Sequence, residues 1–293
     1  MNDKLSYYQN KKARSEKFII IGGALAILGM LGLFIAANAL TSGFEVFIGV
    51  IIIGVLLGAF GFAQFSSVVK KFKGDYLKDL ISDWIEDGYY DPKRGLSPAQ
   101  VYHCEFLKKA DRFHSEDLLT GKIDGIKFEA SDIQLQERRQ RQTKNGTQTY
   151  YVTYFKGQMY VFDFNKDFDG FLQVLENQRP QSRRRYERVK LESIDFNKKF
   201  NTYTTNQHTA FYILTPQFQE RLMAIEKAHP GKIGFSFVDN QLHMAINNNK
   251  SNFTISLFRK IDEALLQAFR EDLQVLYNIV DELKINKRIF KEV

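Results

Sequence analysis

Two long apolar segments, Phe18–Leu40 and Phe44–Phe65, stand back to back with only Thr41-Ser42-Gly43 between them. Each matches the roughly 20 apolar residues an α-helix needs to cross a bilayer. The pair therefore predicts a transmembrane helical hairpin that anchors the whole chain. Asn38 and Glu45 are the only strongly polar residues before Gln64, and both sit beside the connection. Intramembrane ionisable residues mark transport and proton relay. Their absence here, apart from Glu45 at the edge, argues against a transporter or channel and for an anchor.

Orientation follows from the flanks. Lys4, Lys11, Lys12, Arg14 and Lys17 precede the first segment against only Asp3 and Glu16, and Lys70, Lys71, Lys73 and Lys78 follow the second. The connection carries no Lys or Arg. Lys and Arg are retained on the cytoplasmic side, so both termini are expected there. Ala37-Asn38-Ala39 resembles a signal-peptide cleavage site, but the apolar run is longer than the usual core of about 7–15 residues and a second run follows at once. Gly54-x-x-x-Gly58 in the second segment, with Ala26, Gly29 and Gly32 in the first, would allow close helix approach. Glycine is also simply common in such helices, and the sequence leaves both readings open.

About 228 residues remain after the hairpin, enough for one large or two small domains. The formal net charge is +7, of which the tail 1–17 supplies three. The rest is a mild excess, and aromatic residues are not interleaved with the basic runs, so nucleic acid is not expected as a partner. Cys104 is the only cysteine, which rules out an intrachain disulfide and a cysteine-based metal site and suits a reducing compartment. The 26 Phe and 14 Tyr with five Pro favour sheets with aromatic faces.

Ser67–Asp87 carries Val69, Phe72, Tyr76, Leu80 and Trp84 at three- to four-residue spacing, a helix continuing from the second segment and stopped by Gly88 and Pro92. Ser97-Pro98-Ala99-Gln100 reads as a capping box opening a short helix to about Lys109. Leu119–Ile123 and Ile126–Ala130 flank Asp124-Gly125, the signature of a tight hairpin. A polar loop is predicted over Glu137–Thr149, then a hairpin of Tyr150–Phe155 and Gln158–Phe164 about Lys156-Gly157, and a short helix over Phe168–Leu175.

Gln178–Lys190, with Pro180 and Arg183-Arg184-Arg185, reads as a basic linker between a first lobe, 67–177, and a second, 191–293. Phe196 and Phe200 have helical spacing, strand signal runs through Thr202–Leu214, and Thr215-Pro216 caps a helix to about Ala228. Ile233, Phe235 and Phe237 alternate, as do Leu242, Met244 and Ile246 about a turn at Asp239-Asn240, predicting a hairpin with one buried face. A long helix over Ile255–Lys287 closes the chain, its stripe from Phe258 to Leu283 packing either within the domain or on a partner helix. The fold class expected is α+β: a transmembrane hairpin, then antiparallel sheets with flanking helices.

Several blocks resemble a bacterial membrane-protein family catalogued as domain of unknown function 3137. They are Tyr90-Asp91-Pro92 with Gly95-Leu96-Ser97, Asp111-Arg112-Phe113 through Glu116-Asp117, Gly121-Lys122-Ile123-Asp124-Gly125 and Tyr154-Phe155-Lys156-Gly157. Leu191-Glu192, Phe196, Phe200-Asn201-Thr202-Tyr203 and Ala210-Phe211-Tyr212-Ile213-Leu214-Thr215-Pro216 complete them. The resemblance implies a protein of the bacterial cytoplasmic membrane and carries no established activity, so no catalytic residues are transferred. Where that family often has an acidic residue before the last block, this chain has Gln207-His208.

No catalytic, cofactor or metal site is legible. His103, His114, His208, His229 and His243 fall in no paired ligand spacing, and neither a phosphate-binding glycine loop nor a serine elbow is present. His103 and Cys104 adjoin on a predicted helix and point about 100° apart. His114-Ser115-Glu116-Asp117 offers acid–base types, but a helix start or capped loop explains it better. The basic clusters, Lys70, Lys71 and Lys73, Arg138, Arg139 and Arg141, and Arg183, Arg184 and Arg185, are candidate contacts to an anionic inner leaflet, or ordinary solvated loops. The function expected is a membrane-anchored binding or scaffold module with a membrane or cytosolic protein partner. Ala210–Gln219 and the C-terminal stripe are its candidate contact regions. The alternative is a tethered enzyme whose site assembles from distant residues, which a convergent acidic/His pocket would favour.

Overall fold

The computed structural model describes residues 2–39, 44–144, 146–163 and 168–283. The predicted connection at 41–43, Asn145 and the C-terminal helix beyond Leu283 lie outside them. Two compact units form, Met1–Leu77 with Phe253–Arg270, and Lys78–Asn252 with Glu271–Val293.

In the first unit, helix α1 (Asn2–Ala39) and the leading part of helix α2 (Phe44–Trp84) run antiparallel. Both are long and apolar enough to cross a membrane, and only 11% of each most apolar window is buried. Small residues set the approach. A Cβ on Gly22 would stand 2.4 Å from the Gly58 nitrogen, and one on Gly54 would stand 2.6 Å from the Ala26 nitrogen. Glycine is therefore required at this crossing, which decides between the two readings of these glycines. The tail 4–17 is not a separate segment but the first turns of α1. There Lys12, fully buried, pairs with Glu16, whose Oε1 also accepts from the Phe258 backbone nitrogen at 2.7 Å. Tyr8 packs edge-on to Phe72 at 5.3 Å, and Phe72 meets Phe269.

The second unit is one antiparallel nine-stranded sheet. Its strands are β1 (Glu86–Asp91), β2 (Arg112–Ile123), β3 (Ile126–Thr143), β4 (Gly146–Asp163), β5 (Leu172–Leu175), β6 (Glu187–Val189), β7 (Asn201–Thr204), β8 (Lys232–Val238) and β9 (Gln241–Asn247). The spatial order is β1-β2-β3-β4-β9-β8-β5-β7-β6. Asp124-Gly125 and Asp239-Asn240 turn with positive φ at both residues (50° and 77°, 47° and 57°), the conformation of primed hairpin turns.

Helix α3 (Pro98–Tyr102) begins at Ser97, whose hydroxyl accepts from the Gln100 nitrogen at 3.3 Å while Gln100 Oε1 accepts from the Ser97 nitrogen at 2.9 Å. The segment after it lays Cys104, Phe106 and Leu107 over Met159, Val161, Leu175 and Ala245 on one sheet face. Helices α4 (Ile194–Lys199), α5 (Gln207–Ile213) and α6 (Pro216–Ala228) follow β6 and β7. On the opposite face Phe200 meets Phe235 at 6.1 Å and Phe218 meets Phe237 at 5.9 Å. Helix α7 (Glu263–Leu283) ends the described chain. Because both faces are covered, β8 and β9 are buried at nearly every position, where one buried face was expected.

Several expectations are corrected. The helix of α2 ends at Trp84, and Gly88 lies inside β1, a strand the periodicity concealed. Helix α3 stops at Tyr102, so His103 and Cys104 follow it. His114–Asp117 is strand, with Asp117 at a β-bulge (φ 58°) where it accepts from the Tyr90 hydroxyl. The predicted loop at 137–149 is a paired ribbon, from Gln136 opposite Thr153 to Thr143 opposite Gly146. Lys156-Gly157 is no turn, since β4 runs straight through it. A Cβ on Gly157 would fall 1.9 Å from the Ile246 carbonyl oxygen, so the glycine serves close strand approach. Residues 172–175 are strand rather than helix, and 207–213 are helix rather than strand. Gln178–Lys190 contributes edge strand β6, and strands from both sides of it share the one sheet. The C-terminal helix starts at Glu263, and its 21 residues span about 32 Å.

Candidate functional site

One straight row of residues crosses all nine strands. Tyr89, Thr120, Glu129, Val161, His243, Ser236, Gln173, Tyr203 and Arg188 stand opposite one another in successive pairs. Opposed residues share a sheet face. At the centre of the row His243, Ser236 and Gln173 are at most 1% exposed. Gln173 Nε2 donates to the Cys104 carbonyl and the Tyr186 hydroxyl, each at 3.1 Å. Both His243 ring nitrogens, the Ser236 hydroxyl and Gln173 Oε1 have no partner. Buried polar atoms are nearly always paired, so four exceptions on three neighbouring residues mark this stretch of sheet.

The part of the row from Thr120 to His243 lines a cleft of about 630 Å³ beside α3, together with Gln100, His103, Lys122, Lys127 and Asp163. His103 Nε2 lies 3.0 Å from Asp239 Oδ2, and its ring stands 5.5 Å from that of His243. Lys122 Nζ is 2.6 Å from Asp87 Oδ2. That contact holds the Asp87 carboxyl below its usual range and lifts the Lys122 ammonium above its own. Burial, and secondarily His103, pushes His243 down to about 3. At neutral pH it is an uncharged imidazole with one donor and one acceptor, suited to a polar group rather than to a charge. Burial pushes the Cys104 thiol up to about 12, which removes it as a nucleophile. Among the described residues no three His, Cys, Asp or Glu side chains gather as metal ligands.

The basic candidates scatter. Lys73 is buried (8% exposed), whereas Lys71 is exposed and Lys70 half-buried. Arg138, Arg139 and Arg141 are exposed on the β3–β4 ribbon, Arg139 in contact with Glu137. Arg183 and Arg185 are exposed, but Arg184 is tied down, its Nε 2.8 Å from Glu105 Oε1 and its guanidinium 3.8 Å over the Phe171 ring. Burial raises the Glu105 pKa, yet bonds from Arg184, Tyr186 and Ser182 outweigh it and hold the carboxyl below its usual range.

His114 is exposed beside Glu116, His208 lies in the first turn of α5, and His229 ends α6 with Nδ1 2.8 Å from the Ile225 carbonyl. Within Ala210–Gln219 only Phe211 and Tyr212 are exposed large apolar residues. The α7 stripe, including Leu273, Leu276, Ile279 and Val280, is buried within the chain, so it is not a free partner face.

The pairing of His103 with His243 was missed because their separation in sequence hides it. The available signal was the polar intrusions Ser236 and His243 in two otherwise apolar strands.

Residues 153–285 match the model of a family described as "Protein of unknown function (DUF3137)". The matched stretch holds most of β4 and all of β5 to β9, a contiguous run of the sheet order. No curated protein matches the chain. Among solved structures it is similar to the crystal structure of the mycobacterial trehalose monomycolate transport factor A, TtfA. The identity is 8% and the TM-score 0.37, over 72% of this chain and 95% of that one.

Proposed function

We propose that the chain is a membrane-anchored binding module at the inner face of a bacterial cytoplasmic membrane, with two spans, both termini cytoplasmic, and the cleft beside α3 as its binding surface. The observation that carries the reading is His243, a buried neutral imidazole with both nitrogens unpaired at the wall of a mixed-charge cleft. Such a site favours a polar partner that supplies hydrogen bonds and brings both charge signs. The large apolar side chains exposed along α1 and α2, Ile27, Leu28, Phe34, Ile53 and Leu56 among them, support the anchor, since a water-facing patch of that extent would aggregate. The exposed Arg138, Arg139, Arg141, Arg183 and Arg185 supply candidate contacts to anionic lipid, on the order of 1 kcal/mol each.

Two measurements test this. Trypsin should cut at Arg183 and Arg185 in inverted membrane vesicles and not in intact spheroplasts; cutting from outside would overturn the orientation. A photo-crosslinker at Lys127 should capture a discrete adduct in cells that one at the exposed Glu220 does not; equal labelling would overturn the cleft as the binding surface.

The second reading, a tethered enzyme, is favoured by the His103–Asp239 pair, which with His243 and Glu129 makes the convergent acidic/His arrangement acid–base chemistry uses. Incubating the full chain with a small-molecule extract tests it: loss of one compound that the His103→Ala variant fails to consume would favour catalysis.

A further inference from the structure

The first unit holds a cleft of its own, about 820 Å³, between α1 and α2 where the apolar segments give way to charge. Its walls are two matching stripes at helical spacing. On α1 they are Tyr7, Lys11, Arg14 and Phe18; on α2, in antiparallel order, Lys71, Ser67, Gln64 and Phe60. Phe18 and Phe60 meet edge to face at 5.6 Å and close the apolar end. The opposite end carries three cations, Lys11, Arg14 and Lys71, and among the described residues no carboxylate lines the cleft. Lys12 makes the contrast: on another face of the same helix turn it is buried and neutralised by Glu16. Lys11 Nζ lies 4.3 Å from the Tyr7 ring, which leaves its charge uncancelled and fixes its direction.

An occupant must be apolar at the Phe18–Phe60 end and anionic at the Lys11–Arg14–Lys71 end, over a length of a few helical turns. We propose that this cleft is a binding site for an anionic phospholipid, its phosphate held by Arg14, Lys71 and Lys11 and its acyl chain against Phe18 and Phe60. A free phosphate would satisfy the cations alone; the apolar end and its continuity with the bilayer-length segments favour the lipid. Basic pockets between helices at the cytoplasmic side are where phosphorylated headgroups are held. The inference rests on the anchor reading and adds to it a built site for one lipid class.

The test uses the full chain in nanodiscs of phosphatidylcholine with a minority of phosphatidylglycerol, released into native mass spectrometry. Wild type should retain phosphatidylglycerol selectively. Arg14→Gln with Lys71→Gln should cut the preference about 25-fold, roughly fivefold for each cation removed. The charge-preserving pair Arg14→Lys with Lys71→Arg should restore it, which separates charge recognition from misfolding. Lys227→Gln, far along the chain on α6, should change nothing. Equal retention of both lipids, or a preference surviving the double Gln variant, would overturn the proposal. Displacement by glycerol phosphate alone would overturn the lipid assignment in favour of a soluble phosphate. Release of the chain from native membranes by alkaline carbonate would instead refute the anchor, a failure separate from the lipid preference.

Discussion

Acid should loosen the sheet through one side chain. His243 titrates near 6.5 when exposed and is pushed down to about 3 by burial and by His103. The folded-state value lies below the unfolded one, so protons favour the unfolded chain. Stability is full above about 6.5 and is lost as pH falls towards about 3. Between about pH 7.5 and about pH 5 this linkage removes about 2 kcal/mol, a factor of about 30 in the opening equilibrium. The assay is hydrogen exchange of β8 and β9 peptides from the detergent-solubilised full chain, corrected for intrinsic rates. Protection should fall about 30-fold over that interval.

The variant His243→Leu isolates the cause. It removes the depressed imidazole and its unpaired nitrogens, so it should abolish this acid response and raise protection at neutral pH by about 1–3 kcal/mol. Carboxylates held low, such as Glu105, respond only at more acidic pH and remain in the variant. Flat protection in wild type, or an equal drop in His243→Leu, would refute the account of His243 as a buried, unpaired base.

Three further outcomes follow from packing. Gly157→Ala should destabilise the second unit by about 3 kcal/mol, because its Cβ meets the Ile246 carbonyl, and exchange in β4 and β9 should rise first; unchanged exchange would show that the strands yield. Gly22→Leu should push the two apolar helices apart by a few ångströms, measured as a spin-label distance between Gly23→Cys and Gly49→Cys in a Cys104→Ala background; an unaltered distance would disprove the glycine crossing. Glu105→Gln weakens the anchor of residues 178–190 by about 1–3 kcal/mol, seen as faster tryptic cutting at Arg184; equal cutting rates would show that the segment is held elsewhere.

The legible parts of the fold were those whose cause is local. The Ser97–Gln100 capping box, the Thr215-Pro216 helix start and the Asp124-Gly125 and Asp239-Asn240 turns each depend on residues within four positions. The apolar helices were legible for the same reason, since bilayer length needs no partner. What escaped depended on distant neighbours. Gly157 reads as a turn residue until the Ile246 carbonyl is beside it. The ribbon at 137–149 reads as a loop because its residues are exposed on both faces, and hydrophobic alternation has nothing to record. β1 was hidden because Gly88 ordinarily breaks structure. Of the site, only the oddity of His243 and Ser236 within apolar strands was visible; their convergence with His103 needs the register of β8 on β9 and the end of α3 placed against the sheet.

The strand order also dictates what exists while the chain is being made. β1 to β4 form a meander of neighbours in sequence and can pair as they emerge. The next partner of β4 is β9, which appears only after β5 to β8 and the helices between them. Until then Met159, Tyr160, Val161 and Phe162 sit on an open strand edge, the kind of surface that recruits other chains. A half-synthesised chain is therefore most prone to aggregate at β4. On the anchor proposed above, the two apolar helices, already made, would hold the nascent chain apart from its copies and lower the rate of that wrong pairing before β9 arrives.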